Sequence, residues 1–253
     1  QIAGTTVDAL NVADLTATAI GGTTVVAGAG VNVTGTIAES SLTAQTGDIV
    51  IDNAVLGITS VTASAGAGNI VATDNIGWVA GGSFIAAGDV NLTTTYTIYD
   101  ALIEGAVVNL TANNADASAT GAMANLTVTA RDAANLTAVG DITNSSVFAA
   151  NAATIDLSGD LNNDTVTANS IAITGLVNVE NGSYVAKDGS LTVDASGNIE
   201  GATFTAEKAD VVLTADGNIA SSTVTAATDA TLTAAQIAGT TVDALNVADL
   251  TAT

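Results

Sequence analysis

Ile142-Thr143-Asn144-Ser145-Ser146-Val147-Phe148-Ala149 opens on an apolar residue, carries a second one five residues on, and sets an alanine two beyond that. The phrase returns along the chain. Its opening residue recurs at Ile2, Ile20, Ile37, Val55, Val79, Ile98, Met123, Leu161, Val179, Ile199, Ile219 and Ile237. A second apolar column follows at Val7, Val25, Leu42, Phe84, Ile103, Val128, Val166, Tyr184, Phe204, Val224 and Val242, with Val61 one residue late. Small residues come two later, as at Ala27, Ala44, Ala63, Ala86, Gly105, Ala168, Ala186 and Ala206.

Each unit then carries an apolar pair at spacing two: Val31/Val33, Ile49/Ile51, Val90/Leu92, Val108/Leu110, Ile155/Leu157, Ile171/Ile173, Leu191/Val193 and Val211/Leu213. Spacing two is the strand period, and no window sustains a helical one. Three inward clusters per ~20 residues, parted by Gly, Asn, Asp and Ser, predict a solenoid. The fold class expected is therefore all-β: a parallel β-helix of three short strands per coil and about 12–13 coils. The inward alanines mark a corner, where larger side chains would hold the walls apart.

Outward positions repeat too. Thr or Ser precedes the second apolar column, as at Thr24, Ser41, Ser60, Ser83, Thr127, Ser146 and Thr165. Another Thr row is read through Thr16, Thr34, Thr93, Thr111, Thr137, Ser158, Thr174, Thr192, Thr214 and Thr233. Asp141, Asp160, Asn178, Asn198 and Asn218 recur, usually just after Gly, which is turn chemistry.

Units reading Gly-Asn-Ile-x-x-x-x-Val-x-Ala, followed by Leu-Thr-Ala, resemble the shaft repeats of filamentous-haemagglutinin-type exoproteins. The resemblance is one of period and residue class, and covers nearly the whole chain. It implies a right-handed β-helix, secretion to the cell surface or beyond, and a fibrous or adhesive role.

A longer repeat overlies the short one. Gln1–Thr18 recurs without change as Gln236–Thr253. The reading is one continuous solenoid over 1–253, in which 1–235 is a tandem block and 236–253 starts the next. Twelve coils at ~4.8 Å each advance about 58 Å per block. Regular coils at both ends predict continuation, either covalent or by stacking of copies head to tail. Residues 113–122 read as a loop insertion.

Composition narrows the function. The net charge of −22, from 25 acidic against three basic side chains (Arg131, Lys187, Lys208), offers no footprint for nucleic acid or anionic lipid. No run approaches the ~18 apolar residues of a membrane span. With 48% apolar residues the chain can still bury enough to fold. The absence of His and Cys removes Ser–His and Cys–His nucleophiles and thiolate zinc sites. Asp160/Asp164 and Asp48/Asp52 are the nearest carboxylate pairs, and turn chemistry accounts for them better than catalysis does.

The one cofactor considered is calcium. Gly159-Asp160-Leu161-Asn162-Asn163-Asp164 supplies oxygen ligands at Asp160, Asn162 and Asp164, without a calcium-loop motif. Eight Asn-x-Ser/Thr sequons stand at Asn32, Asn91, Asn109, Asn125, Asn135, Asn144, Asn163 and Asn181, little more than composition gives. Residues 76–122 are the least regular stretch and hold Trp78, Tyr96 and Tyr99 outside the core columns, a candidate lateral-contact or ligand patch. The expected role is a non-enzymatic shaft of an extracellular filament, sheath or giant cell-surface protein, with itself as main partner. An adhesin binding glycans or another cell surface through residues 76–122 is the alternative, and a polysaccharide-active enzyme the third reading.

Overall fold

The computed structural model describes residues 1–113 and 122–253. The chain is an all-β parallel β-solenoid of about 13 coils, with no helix among the described residues. Contacts divide it into two compact units, Gln1–Arg131 and Asp132–Thr253. The expected insertion at 113–122 lies, over 114–121, outside the described residues.

In the second unit the opening column is a register: Ile142, Leu161, Val179, Ile199, Ile219 and Ile237 pair in turn. The second column pairs Val166, Tyr184, Phe204, Val224 and Val242, with alanines 168, 186, 206, 226 and 244 stacked beside it. The third strand stacks Ile171, Leu191, Val211 and Ala230, and beside them Ile173, Val193, Leu213 and Leu232. These side chains are buried, whereas their neighbours along each strand are not. Each fully buried Val, Leu or Ile contributes roughly 1.5–3 kcal/mol, so stability accrues coil by coil.

An odd spacing of five cannot put two residues on one face of an unbroken strand. The backbone supplies the answer. Two residues after each opener stands a residue in the left-handed region: Asn144 (φ 51°), Asn163 (φ 59°), Asn181 (φ 53°), Gly201 (φ 65°), Ser221 (φ 50°) and Gly239 (φ 62°). This corner resets the alternation, so the residue after it points inward as well. Ser145, Asp164, Gly182, Ala202 and Ser222 are accordingly buried. Asn, Asp and Gly tolerate left-handed backbone best, which explains why they crowd this position.

The first unit follows the same plan, with Gly4, Gly22, Glu39, Ser60, Gly81, Asp100 and Asn125 at the left-handed corner. One coil departs from the sequence reading. Its opener is Ile58, paired with Ile37 on one side and Val79 on the other, and not Val55, which is 51% exposed. Extra residues around Asn53 (φ 53°) and Gly57 (φ 90°) loop out and delay the column. Thr62, not Ser60, then joins the outward hydroxyl row, and Val61 pairs with Gly82. Ala63 lies in the large-residue column between Leu42 and Phe84, and Ala65 in the alanine column. The small Ala63 leaves room for the Phe84 ring beside it.

Three smaller corrections concern register. Ile155 pairs with Ile173, so the inward pair is Ala153/Ile155, and Leu157 lies one step on, opposite Ala138. Asp156, not Ser158, stands between Thr137 and Thr174, while Thr192 pairs with Ala172 and Val212 one step earlier. Leu102 interrupts the hydroxyl row between Ser83 and Thr127.

Candidate functional site

The most regular chemistry of the chain is a ladder of side-chain oxygens. Asp141 Oδ1 accepts the backbone N–H of Asp160 at 2.9 Å, and Asp160 Oδ1 that of Asn178 at 2.9 Å. Asn178 then accepts from Asn198, and Asn198 from Asn218, each at 2.8 Å. The glycine before each Asx makes room for it. A Cβ on Gly197 or Gly217 would lie 2.5 Å from the Oδ1 of Asn178 or Asn198.

Two further ladders of the same design precede the third strand, and sequence reading missed them. Asp48, Asn69 and Asp89 bond successively to the N–H of Asn69, Asp89 and Val107 at 2.7, 2.7 and 3.0 Å. In the second unit Asp210 and Asp229 do so to Asp229 and Val247, both at 3.1 Å. Hydrogen bonds from the Thr228 hydroxyl and the Asp229 N–H hold the Asp210 carboxyl below its ordinary range. The legible signal was an Asx directly before the apolar pair, as in Asp48-Ile49, Asn69-Ile70 and Asp89-Val90.

The three calcium candidates take separate duties. Asp160 belongs to the surface ladder and also accepts the Asn178 side-chain amide. Asn162 donates its side-chain amide to Glu180 at 3.2 Å. Asp164 is turned inward and only 2% exposed, accepting the N–H of Ser145 at 2.7 Å and of Asn162 at 3.0 Å. Burial pushes its carboxyl up to about 7, against the opposing pull of those two N–H donors. Among the described residues no three acidic side chains are grouped as metal ligands. Asp48 and Asp52 are likewise separated in role, Asp48 in a ladder and Asp52 opposite Thr34.

Beside Asp164 the core holds its two stacked rings, Tyr184 and Phe204, with centroids 5.2 Å apart and 11° between planes. The Tyr184 hydroxyl is buried without a hydrogen-bond partner. Burial and the nearby Asp164 carboxylate both disfavour its ionisation. It fits only because Gly182 lacks a side chain, since a Cβ there would lie 2.3 Å from the hydroxyl oxygen.

The sequon asparagines are drawn into axial contacts. Asn32 donates to Asp14 at 2.7 Å, Asn109 to Asn91 at 2.7 Å, Asn125 to Asp100 at 2.8 Å and Asn163 to Asn144 at 3.3 Å. Asn125, Asn144, Asn163 and Asn181 all occupy the left-handed corner and are exposed, while Asn135 lies in the strand Ala134–Ala138. The cations are exposed or bonded to backbone. Lys187 pairs with Glu207 at 2.6 Å and Lys208 with Asp188, a reciprocal cross between neighbouring coils, while Arg131 bonds to the Ala86 carbonyl at 3.0 Å.

Trp78 and Tyr96 are brought together, with ring centroids 6.4 Å apart and tilted by 50°. They line a shallow cleft of about 280 Å³ with Val55, Leu56, Asn75, Gly77 and Thr95. Val55 and Leu56 also border a second groove of about 590 Å³ floored by Ala17, Thr34 and Gly35. Tyr99 is exposed but is not part of either lining. The indole covers Gly57, where a Cβ would lie 2.4 Å from Nε1. The ring pair thus clamps the looped-out segment and still leaves aromatic surface at a cleft that has polar groups on its rim. Comparison with known protein families, with curated proteins and with solved structures gives no match to this chain.

Proposed function

We propose that this chain is a non-enzymatic structural shaft, one period of an extracellular filament, sheath or giant cell-surface protein. The observation that carries this reading is the sameness of what each coil offers the next. Aliphatic columns meet in register, and Asx oxygens bond the N–H one coil on. Stability then resides in coil–coil interfaces, which suits an object that grows along one axis. The acidic side chains are spent largely on those ladders, and the net charge of −22 keeps neighbouring fibres hydrated and apart. Electron microscopy of native material tests this directly. Long fibres with an axial repeat of about 58 Å are expected, and compact particles of a single block contradict the reading.

A second reading rests on the Trp78–Tyr96 cleft, whose rings and polar rim suit a glycan on another cell. Loss of cell attachment in Tyr96→Ala and Trp78→Ala, with fibres still formed, supports it. Unchanged attachment in both removes it.

A further inference from the structure

Because Gln1–Thr18 and Gln236–Thr253 are identical, one coil is seen in two settings. In the first unit it carries residues 19–36 on one edge, Ile2 pairing with Ile20, Val7 with Val25 and Leu15 with Val33. In the second unit the same coil rests on the one before it, through Ile219–Ile237, Val224–Val242 and Leu232–Leu250. The edge that holds residues 19–36 in the first setting is bare in the second. Leu15 is 4% exposed, whereas its twin Leu250 is 47% exposed. Gly4 and Ala13 donate their N–H to the carbonyls of Gly21 and Gly30, each at 3.0 Å. Their twins Gly239 and Ala248 lie on the bare edge, as does Asp249, the twin of Asp14, whose carboxylate takes the Asn32 amide at 2.7 Å.

We propose that the bare edge of Gln236–Thr253 is a joining surface for residues 19–36 of a following copy, so that successive blocks share one coil and repeat every 235 residues (236 − 1). This deepens the shaft reading and rests on it in taking blocks to follow one another. The competing joint has complete copies abutting, with Gln1–Thr18 seated on Gln236–Thr253. That joint sets Asp8 over Asp243 and Asp14 over Asp249, like charges at the ~4.8 Å spacing of adjacent strands, which is destabilising. The shared coil instead sets Val26 over Asp243 and Asn32 over Asp249, reproducing the Asp14–Asn32 hydrogen bond.

Two double-length chains test the choice, with the 253-residue chain as reference. In one, Thr253 runs on into Ala19; in the other, Thr253 runs on into Gln1. Hydrogen exchange is read at Gly239 and Ala248 of the joint. In the shared-coil chain exchange at both is expected to slow by on the order of 100-fold relative to the single block. In the abutted chain it should slow much less, and gain protection when Asp8 and Asp14 of its second block become Asn. No slowing in the shared-coil chain, or equal slowing in both, overturns the proposal. The shaft reading is judged separately by fibre morphology, so a well-protected joint in a protein that forms no fibres would refute that reading alone.

Discussion

Asn198 Oδ1 accepts the backbone N–H of Asn218 at 2.8 Å, and it occupies the place a Cβ on Gly217 would need. The Gly-Asx pair is therefore one device spread over two coils. Asn198→Ala should cost about 1–2 kcal/mol, because the Asn218 N–H loses its acceptor at a half-buried edge. Asn198→Asp keeps the acceptor and should cost less. Gly217→Ala should be worse than either, since its Cβ also meets the Gly197 carbonyl at 2.7 Å. Urea denaturation ranks the three, and the Asn218 amide should exchange faster in Asn198→Ala but not in Asn198→Asp. Equal stability of Ala and Asp variants would mean the ladder bond contributes nothing.

The left-handed corner is filled by residues of very different fitness. Glu39 (φ 48°) and Ser221 (φ 50°) hold a conformation that costs an ordinary L-residue roughly 1–2 kcal/mol. Replacing either by Gly should relieve more strain than it adds in unfolded-chain entropy, giving a net gain of a few tenths to about 1 kcal/mol. Ser221→Val should lose more than that, since a β-branched residue is a poor fit there. Thermal melts of Glu39→Gly and Ser221→Gly should move upward. A fall in both would show that side-chain contacts at the corner outweigh backbone strain.

The coil was legible because its signal is redundant. A wrong opener such as Val55 is outvoted by correct ones on either side, as Ile37 and Val79 bracket the true Ile58. Local register was less legible. Val, Ala and Ser alternate at the same spacing before and after the looped-out residues, so a shift of three leaves the pattern plausible. The parity reset at the corner was invisible because a backbone angle, not a residue type, causes it. Glu39 and Ser221 sit there beside Gly and Asn. As for the candidate site, Trp78 and Tyr96 were picked out by rarity, and their contact follows from stacking of neighbouring coils. Asp164 was misjudged for a related reason. Its position after the corner turns it inward, while Asp160 at the surface has the same chemistry.

Tyr184 and Gly182 should behave as a coupled pair. Gly182→Ala drives a Cβ to 2.3–2.6 Å from the Tyr184 hydroxyl and ring, so a loss of several kcal/mol is expected, as for overpacked cores. Tyr184→Val copies its register neighbours Val166 and Val224, at the cost of the stack on Phe204. In that background Gly182→Ala should cost at least ~2 kcal/mol less, a coupling within reach of a double-mutant cycle. Tyr184→Phe alone should be neutral or stabilising by about 1 kcal/mol, because it removes a buried hydroxyl that bonds to nothing. Additive single-variant effects would remove the steric account.

Asp164 should give this acidic protein a distinct pH response. Its carboxyl ionises near 3.8 when the chain is unfolded but only near 7 in the fold, because burial opposes the charge. Between those values the folded state holds a proton that the unfolded state has released. Stability must then fall as pH rises through that window, with the full penalty above about 7 and none below about 4. At 1.36 kcal/mol per pH unit the penalty is of order 4 kcal/mol. Asp164→Asn carries no charge and should escape it, losing only one of two acceptors, that for the Ser145 or the Asn162 N–H. The variant should therefore melt at or slightly below the parent near pH 4 and well above it near pH 9. The other carboxylates titrate alike in both proteins, so the difference between the two melting curves isolates this residue. Parallel curves from pH 4 to pH 9 would show that Asp164 is ionised in the fold throughout, its two N–H donors outweighing its burial.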